Sequence, residues 1–316
     1  MPMSKPSRHA ATASADAGAP QRCGFIAVIG APNAGKSTLV NALVGAKVTI
    51  VSHKVQTTRV PVRGIALADA SQLVFIDTPG IFAPRRRLDR AMVDAASTAA
   101  GDADLIVLLV DAQKGVNDDV ARILRQLASV ERPRILVLNK IDRVKKEQLL
   151  ALAADLNARL AFSATFMVSA LSGSGVADLK THLAAHVPEG PWHFPPDDLS
   201  DVPERLLAAE ITREKLYERL HQELPYSATV ETTAWQDRKD GSARIEQTIF
   251  VERDSQRSIV LGEGGRTIKD ISMRARKELA VLLERPVHLF LHVKVQEGWS
   301  DDPERYRNMG LDFPKS

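Results

Sequence analysis

The sequence predicts an α/β domain, a mostly parallel sheet with helices on both faces, followed by a smaller α+β domain. Three observations carry this. Short apolar runs rich in Ile, Val and Leu alternate with helical stretches from Gly24 onward, the pattern of buried strands joined by helical crossovers. The alternation stops at residues 186–203 (HVPEGPWHFPPDDLSDVP), where five prolines and a cluster of acids block helix and sheet continuation. Beyond that break the order becomes helix, strand, strand, helix, helix, strand. The expected division is a disordered tail over 1–22, a first domain over 23–187, a proline-rich linker over 188–203, and a second domain with a C-terminal tail over 204–316.

The elements follow in order. Residues 24–30 (GFIAVIG), 73–76, 105–110 and 135–138 read as buried strands, with 166–168 a weaker candidate. Residues 36–44, 117–128 and 145–160 read as helices. In the second half, 204–223 reads as a long amphipathic helix. Strands are expected at 227–235 and 243–252, joined by a turn at Lys239-Asp240-Gly241. A glycine loop, a helix over 266–283 and a strand over 287–295 complete it.

Composition narrows the function. A chain of 316 residues with 44% hydrophobic content suits two cores. A net charge of only +3 means that any nucleic-acid surface is a local patch. The one cysteine, Cys23, excludes an intramolecular disulfide and a cysteine-built metal cage and reads as a plain buried or edge residue. The longest clean apolar run, 105–110, is far short of the roughly 20 residues that cross a bilayer. The first twenty residues lack the apolar stretch of a secretory signal, so a cytoplasmic protein is expected, with peripheral membrane contact as a secondary expectation.

Gly30-Ala31-Pro32-Asn33-Ala34-Gly35-Lys36-Ser37 fits G-x-x-x-x-G-K-[ST]. Glycines let backbone N–H groups wrap phosphate oxygens, and the following helix N-terminus favours negative charge. Lys36 reaches the β and γ phosphates, and Ser37 places a hydroxyl on Mg²⁺. A chance glycine turn would lack the strand before the loop and the helix after it. The loop alone does not choose the base. Asn139-Lys140-Ile141-Asp142 does: an ionised carboxylate is acceptor-only, so Asp142 matches the two donors on one edge of guanine and repels adenine. Ser169-Ala170-Leu171, after the next strand, stands where a loop would back the base.

Asp77-Thr78-Pro79-Gly80 follows an apolar strand. Asp77 there holds the hydration shell of Mg²⁺, and Gly80 turns its N–H toward a γ-phosphate. Between the two loops lies Gln56-Thr57-Thr58-Arg59, in which Thr58, with Thr57 as the alternative, offers a hydroxyl to Mg²⁺. Many small GTPases carry a glutamine after that glycine to orient water. Here Ile81 and Phe82 follow, so slow intrinsic turnover is expected, helped by another group, a bound ion or a partner. The basic triplet Arg85-Arg86-Arg87 has no assigned role at this level.

In the second domain, Gly262-Glu263-Gly264-Gly265 lies between two helical segments and has the GxxG form that clamps the backbone of about four nucleotides. Residues 253–277 carry seven basic side chains against three acids, whereas residues 201–316 carry nineteen against twenty-one, so positive charge is focused near the loop. The expected RNA contacts are Gly262, Glu263, Gly264, Gly265, Arg266, Lys269 and Arg274.

Taken together, the phosphate loop, QTTR, DTPG and NKID, the linker EGPWHFPPDD, the helix AAEITREKLYERLHQELPYS, the loop GEGGRTIK and the terminal VKVQEGWSDDPERYRNMG resemble the Era family of bacterial Ras-like GTPases with a type II KH domain. The likeness runs from about residue 24 to 311. It implies a P-loop GTPase domain and a KH domain, GTP/GDP and Mg²⁺ as cofactors, binding to the 3′ end of 16S rRNA, and a role in assembly and maturation of the 30S subunit by a monomer. The implied nucleotide contacts are Gly30 to Thr38, that is Gly30, Ala31, Pro32, Asn33, Ala34, Gly35, Lys36, Ser37 and Thr38, together with Asp77, Thr78, Pro79, Gly80, Asn139, Lys140, Asp142, Ser169, Ala170 and Leu171. Lys36, Thr58, Asp77 and Gly80 are the expected catalytic set; Ser37, Thr58 and, through water, Asp77 are the Mg²⁺ set. Two other readings compete: a tRNA-modifying or membrane-linked GTPase of the same superfamily, and an RNA-binding module with a structural G domain. Retention of Lys36, Ser37, Asp77 and Asp142 argues against the last.

Overall fold

A computed structural model describes residues 20–52, 54, 57–220 and 227–314. The expectations for residues 1–19, for Gln56 and for the last three residues of the 204–223 helix lie outside these. Apolar runs nucleate the strands of the first unit: β1 (Arg22–Ile29), β3 (Ser71–Asp77), β4 (Leu105–Asp111), β5 (Arg134–Asn139) and β6 (Ala164–Met167) pair in parallel, and β2 (Val62–Ala68) adds antiparallel to β3. The sheet order is β2-β3-β1-β4-β5-β6. Five helices cover it: α1 (Lys36–Val44), α2 (Arg87–Asp102), α3 (Asp118–Leu127), α4 (Lys146–Arg159) and α5 (Val176–His186). β4 shows why both faces need cover: Leu105, Val107 and Leu109 pack with α1 and α5, while Ile106, Leu108 and Val110 pack with α2, α3 and α4.

Pattern reading did not register β2, α2 or α5. β2 (VRGIALA) has Gly64 in its middle instead of an unbroken apolar run. It is held by a tight reversal in which Asp69 takes a φ of 51°. α2 begins inside the basic triplet, and the backbone amides of Arg85 and Arg86 donate to the Asp89 carboxylate at 3.0 Å each, which satisfies N–H groups at its start.

The proline-rich stretch continues no element, yet it is pinned to the sheet. Gln72, fully buried, donates to the Phe194 carbonyl (2.8 Å) and accepts from the His193 and Phe194 amides (2.9 and 3.0 Å). The Trp192 indole N–H reaches the Ala70 carbonyl at 3.1 Å. Cys23 lies beneath this strap; burial pushes its thiol up, as suits an inert core residue.

The second unit comprises α6 (Glu204–Arg219), β7 (Ala228–Asp237), β8 (Ala243–Val251), α7 (Asp254–Leu261), α8 (Arg266–Leu282) and β9 (Val287–Val295). β8 pairs antiparallel with β7 and parallel with β9; the two helices between β8 and β9 provide the crossover that parallel pairing demands. Ile271, Ala275 and Leu279 form the buried stripe of α8 at helical spacing. After β9 comes a short turn at Trp299–Asp301 and a helix that the pattern also missed, α9 (Pro303–Met309), capped by Asp302, which accepts from the Glu304 amide at 3.0 Å.

Two patches of core join the units. Ile50, from the stretch between α1 and β2, is 2% exposed and packs with Ala208, Ile211, Ile245, Ala275 and Leu279 of the second unit. Trp299, Tyr306 and Leu311 pack with Val60, Val62, Leu88 and Met92 of the first. Arg87 finds its place here: it pairs with Asp301 at 3.2 Å and lies 4.8 Å over the Phe313 ring. Ile50→Ala is expected to lower the unfolding free energy by about 2–5 kcal/mol in urea denaturation. Hydrogen exchange should quicken in α6 and α8; unchanged protection there would refute a shared core.

Candidate nucleotide site and nucleic-acid interface

The site lies beyond the carboxyl ends of the parallel strands, where open α/β sheets bind ligands. The phosphate loop follows β1. Gly30 has no room for a side chain, since a Cβ would lie 2.4 Å from the Leu109 carbonyl oxygen. Gly35 is constrained twice: its φ is 98°, and a Cβ would lie 2.4 Å from the Asn139 amide nitrogen. Asn33 also takes positive φ, at 63°. Lys36 is buried, its ammonium 3.2 Å from the Gly30 and Ala31 carbonyls; burial pushes its pKa down to about 8, and Asp77 pulls the other way.

Asp77, at the end of β3, gathers hydroxyls from three places. Ser37 Oγ donates to its Oδ2 at 2.7 Å, Thr49 Oγ1 at 2.8 Å and Thr58 Oγ1 at 3.2 Å, and Ser37 and Thr58 lie 2.9 Å apart. Its other oxygen, Oδ1, is buried without a hydrogen-bond partner among the described residues. Such a knot of hard oxygen donors fits Mg²⁺. Thr57 instead donates to the Lys54 carbonyl at 2.7 Å, away from Asp77. Thr49 carries no motif and escaped pattern reading; only its fold neighbours reveal it. Gly80 packs on the phosphate loop, where a Cβ would lie 3.0 Å from three Pro32 atoms. Ile81 is 3% exposed and belongs to the core, so its side chain does not face the site.

Beside the loop, a cavity of about 220 Å³ is lined by Asn33, Lys140, Asp142, Ser169, Ala170 and Leu171, among others. It adjoins the phosphate cavity, which Pro32, Asn33, Gly35, Lys36, Ser37 and Thr38 line in part. Asp142 presents an exposed carboxylate, held below the usual range chiefly by the Ser169 hydroxyl. Asn139 is a brace: its amide donates to the Ala34 carbonyl (2.8 Å) and accepts from the Ala170 N–H (3.0 Å), tying three loops together. Lys140 donates to the Asn33 carbonyl (2.8 Å) and pairs with Asp111 (2.7 Å), a partner without a sequence signal. The Thr78 hydroxyl bonds the Val28 carbonyl at 2.8 Å and fastens β3 to β1.

In the second unit, Gly262, Gly264 and Gly265 take φ of 71°, 60° and 76°. A Cβ on Gly262 would strike Thr267, whereas Gly264 and Gly265 face open space. Glu263 and Arg266 are exposed and paired with each other at 2.8 Å. Lys269 is exposed, and Arg274 pairs with Asp270 at 3.1 Å. The loop is thus a bare turn of backbone at the N-terminus of α8.

A phosphate loop, a carboxylate–hydroxyl knot and a base cavity on this sheet define a P-loop GTPase, and the helix-strand-strand-helix-helix-strand unit with its glycine loop is a KH domain. Family models agree: "50S ribosome-binding GTPase" matches residues 25–140 and "KH domain" residues 223–300. GTPase Era of Sinorhizobium medicae is 64% identical over 302 residues, covering 96% of this chain and 97% of its own. GTPase Era of Bradyrhizobium sp. BTAi1 is 64% identical over 298 residues, covering 94% and 97%. Two solved structures each align with TM-score 0.87 at 36% identity, over 92% of this chain and 99% of theirs: an Aquifex aeolicus Era variant bound to GDP·AlF4⁻, and Era in complex with MgGDPNP and nucleotides 1506–1542 of 16S ribosomal RNA. The chain belongs to the GTPase Era family. Among the described residues no helix is long and apolar enough to cross a membrane.

Lys36 gives a pH prediction. Phosphate favours its charged form, so its pKa rises on binding. Nucleotide binding should therefore take up a proton at about pH 8.5, and affinity should fall as pH rises past about 8. Calorimetry in buffers of different ionisation enthalpy measures the uptake; none is expected at about pH 6.5, where Lys36 is already charged in both states.

Proposed function

We propose that this GTPase binds the 3′ end of 16S rRNA through its KH loop and acts in assembly and maturation of the small ribosomal subunit. What supports the RNA half most is the likeness over 92% of the chain to the relative solved with MgGDPNP and nucleotides 1506–1542. The working division is a G domain over 23–187, a linker over 188–203 and a KH unit over 204–316. The compartment is the cytoplasm, with any membrane contact peripheral and at the inner face, and the protein acts as a monomer. Kinship over 96% of the chain favours this over a role in tRNA modification.

The residue roles are as follows. Backbone from Gly30 to Thr38, with Lys36, holds the phosphates. Ser37 and Thr58 would hold Mg²⁺, with Asp77 acting through water, and the ion would supply positive charge to the phosphate oxygens. Gly80 donates its N–H toward the γ-phosphate. Asp142 reads guanine, backed by Ser169, Ala170 and Leu171, while Asn139 and Lys140 keep the loops in register. Gly262 to Arg266, with Lys269 and Arg274, clamps the RNA backbone. With Ile81 turned into the core, no side chain at that place orients water, and turnover without a partner is slow.

Two substitutions test the two halves. Asp142→Asn should weaken GTP binding on the order of 10⁴-fold and shift preference to xanthosine nucleotides; an unchanged preference for guanine in competition titrations would reject the base-reading role. Gly264→Asp has open space to occupy but must take a φ of 60°, a left-handed conformation that Asp adopts at a cost of about 1–2 kcal/mol, so the fold should persist with somewhat lower stability. RNA affinity should fall at least about tenfold by repulsion from phosphate, with GTP hydrolysis measured without RNA intact. If RNA affinity holds, the clamp lies elsewhere.

A further inference from the structure

We propose that Arg213, on α6 of the KH unit, is a positioning residue for GTP hydrolysis: by gripping the Thr57 carbonyl it sets the Thr58 hydroxyl at the Mg²⁺ site. Residues 57–60 lie between α1 and β2 in neither helix nor strand, so no backbone ladder of their own fixes Thr58. The KH unit fixes it instead. Arg213 is 1% exposed, and its Nη2 donates to the Thr57 carbonyl oxygen at 2.5 Å. The guanidinium is itself locked, by Glu210 at 2.8 Å from Nε and by the Tyr217 ring 5.1 Å away. On the other side of Thr58, Arg59 donates to the Ala228 carbonyl (3.0 Å) and the Tyr217 hydroxyl (3.1 Å). Both neighbours of Thr58 are thus held by the KH unit, while its own hydroxyl faces Ser37 and Asp77. The same helix holds the stretch further upstream, where Glu214 accepts from the Val51 N–H at 2.8 Å and pairs with Lys47 at 2.6 Å.

A planar fork pinned by a carboxylate and an aromatic ring defines the place of a carbonyl better than a flexible amine or water does. A hydroxyl one peptide away inherits that definition. A reacting group displaced by about 1 Å loses on the order of 10²-fold in rate, so the anchor sits far from the chemistry yet controls it. GDP lacks the γ-phosphate, so its binding depends little on Thr58. Arg213 should therefore matter for GTP and not for GDP.

The inference rests on the assignment of Thr58 to the Mg²⁺ shell, so both are tested together in the full chain: Arg213→Met, Thr58→Ala and the double variant. Affinities for GDP and for a non-hydrolysable GTP analogue are measured by fluorescence titration with Mg²⁺ and with the ion chelated, alongside kcat and KM for GTP. Arg213→Met is expected to weaken the analogue about tenfold in Mg²⁺ and to leave GDP affinity within about twofold. It should raise KM for GTP in step with the weaker analogue binding, since slow chemistry makes KM track the dissociation constant, and lower kcat as well. With Mg²⁺ chelated it should match wild type. In the Thr58→Ala background it should add nothing further, because both changes remove one function. An unchanged ratio of analogue to GDP affinity in Arg213→Met, or losses that multiply in the double variant, overturns the positioning role. An unchanged ratio in Thr58→Ala overturns the Thr58 assignment itself. Should Arg213→Met not fold, Arg213→Lys carries the test, since its amine keeps a charge against Glu210 but lacks the fork; the same loss in smaller degree supports the role, and an unchanged ratio overturns it.

Discussion

A buried carboxylate has to be solvated by the protein, and Asp77 shows how much can hang on that demand. Burial pushes its pKa up, while Ser37, Thr49 and Thr58 donate to it and Lys36 lies near. Those three hydroxyls come from the phosphate loop and from two points of the stretch between α1 and β2. The carboxylate therefore gathers into one place a strand end, a helix start and a segment with little regular structure. Without it, Thr49 and Thr58 would have no reason to face Ser37, and the segment would have no fixed face to offer the KH unit.

The other face of that segment is spoken for by α6. Ile50 fills a gap in the KH core, Glu214 and Lys47 pair across the junction, and Arg59 lies over the Trp299 ring at 5.7 Å. Trp299 in turn packs with Leu88 and Met92 of α2, just beyond Gly80. The segments around Thr58 and after Gly80 therefore both lean on the C-terminal half of the chain, one through α6 and one through the turn at Trp299 and α9. The strap over residues 188–203 ties the edge of the sheet near β1, β2 and β3 and keeps the connection short.

The two glycine loops apply one device in opposite settings. Each bares backbone N–H groups at a helix N-terminus. The first is crowded, with Gly30 and Gly35 hemmed in by Leu109 and Asn139, as suits a small ligand enclosed in a shaped site. The second is open at Gly264 and Gly265, as suits a polymer that must enter and leave along its length.

What the amino-acid order determined by itself was whatever depends on near neighbours. Buried strands advertise themselves as apolar runs, and phosphate loops need glycine and lysine at set spacing, so β1, α1, β3, β4, β5, the phosphate loop and the KH loop were legible. β2, with a glycine at its centre, was not; nor was Thr49, a lone hydroxyl in no motif. Asn139 and Thr78 stand in tetrapeptides that pattern reading finds, but only the fold shows that their side chains also hold loops and strands together. The tertiary structure alone decided which of Thr57 and Thr58 faces Asp77, why Arg87 is basic, and where Ile50 is buried. These turn on contacts such as that of Thr57 with Arg213, 156 positions apart, and no local pattern encodes which distant side chain will fill a given gap.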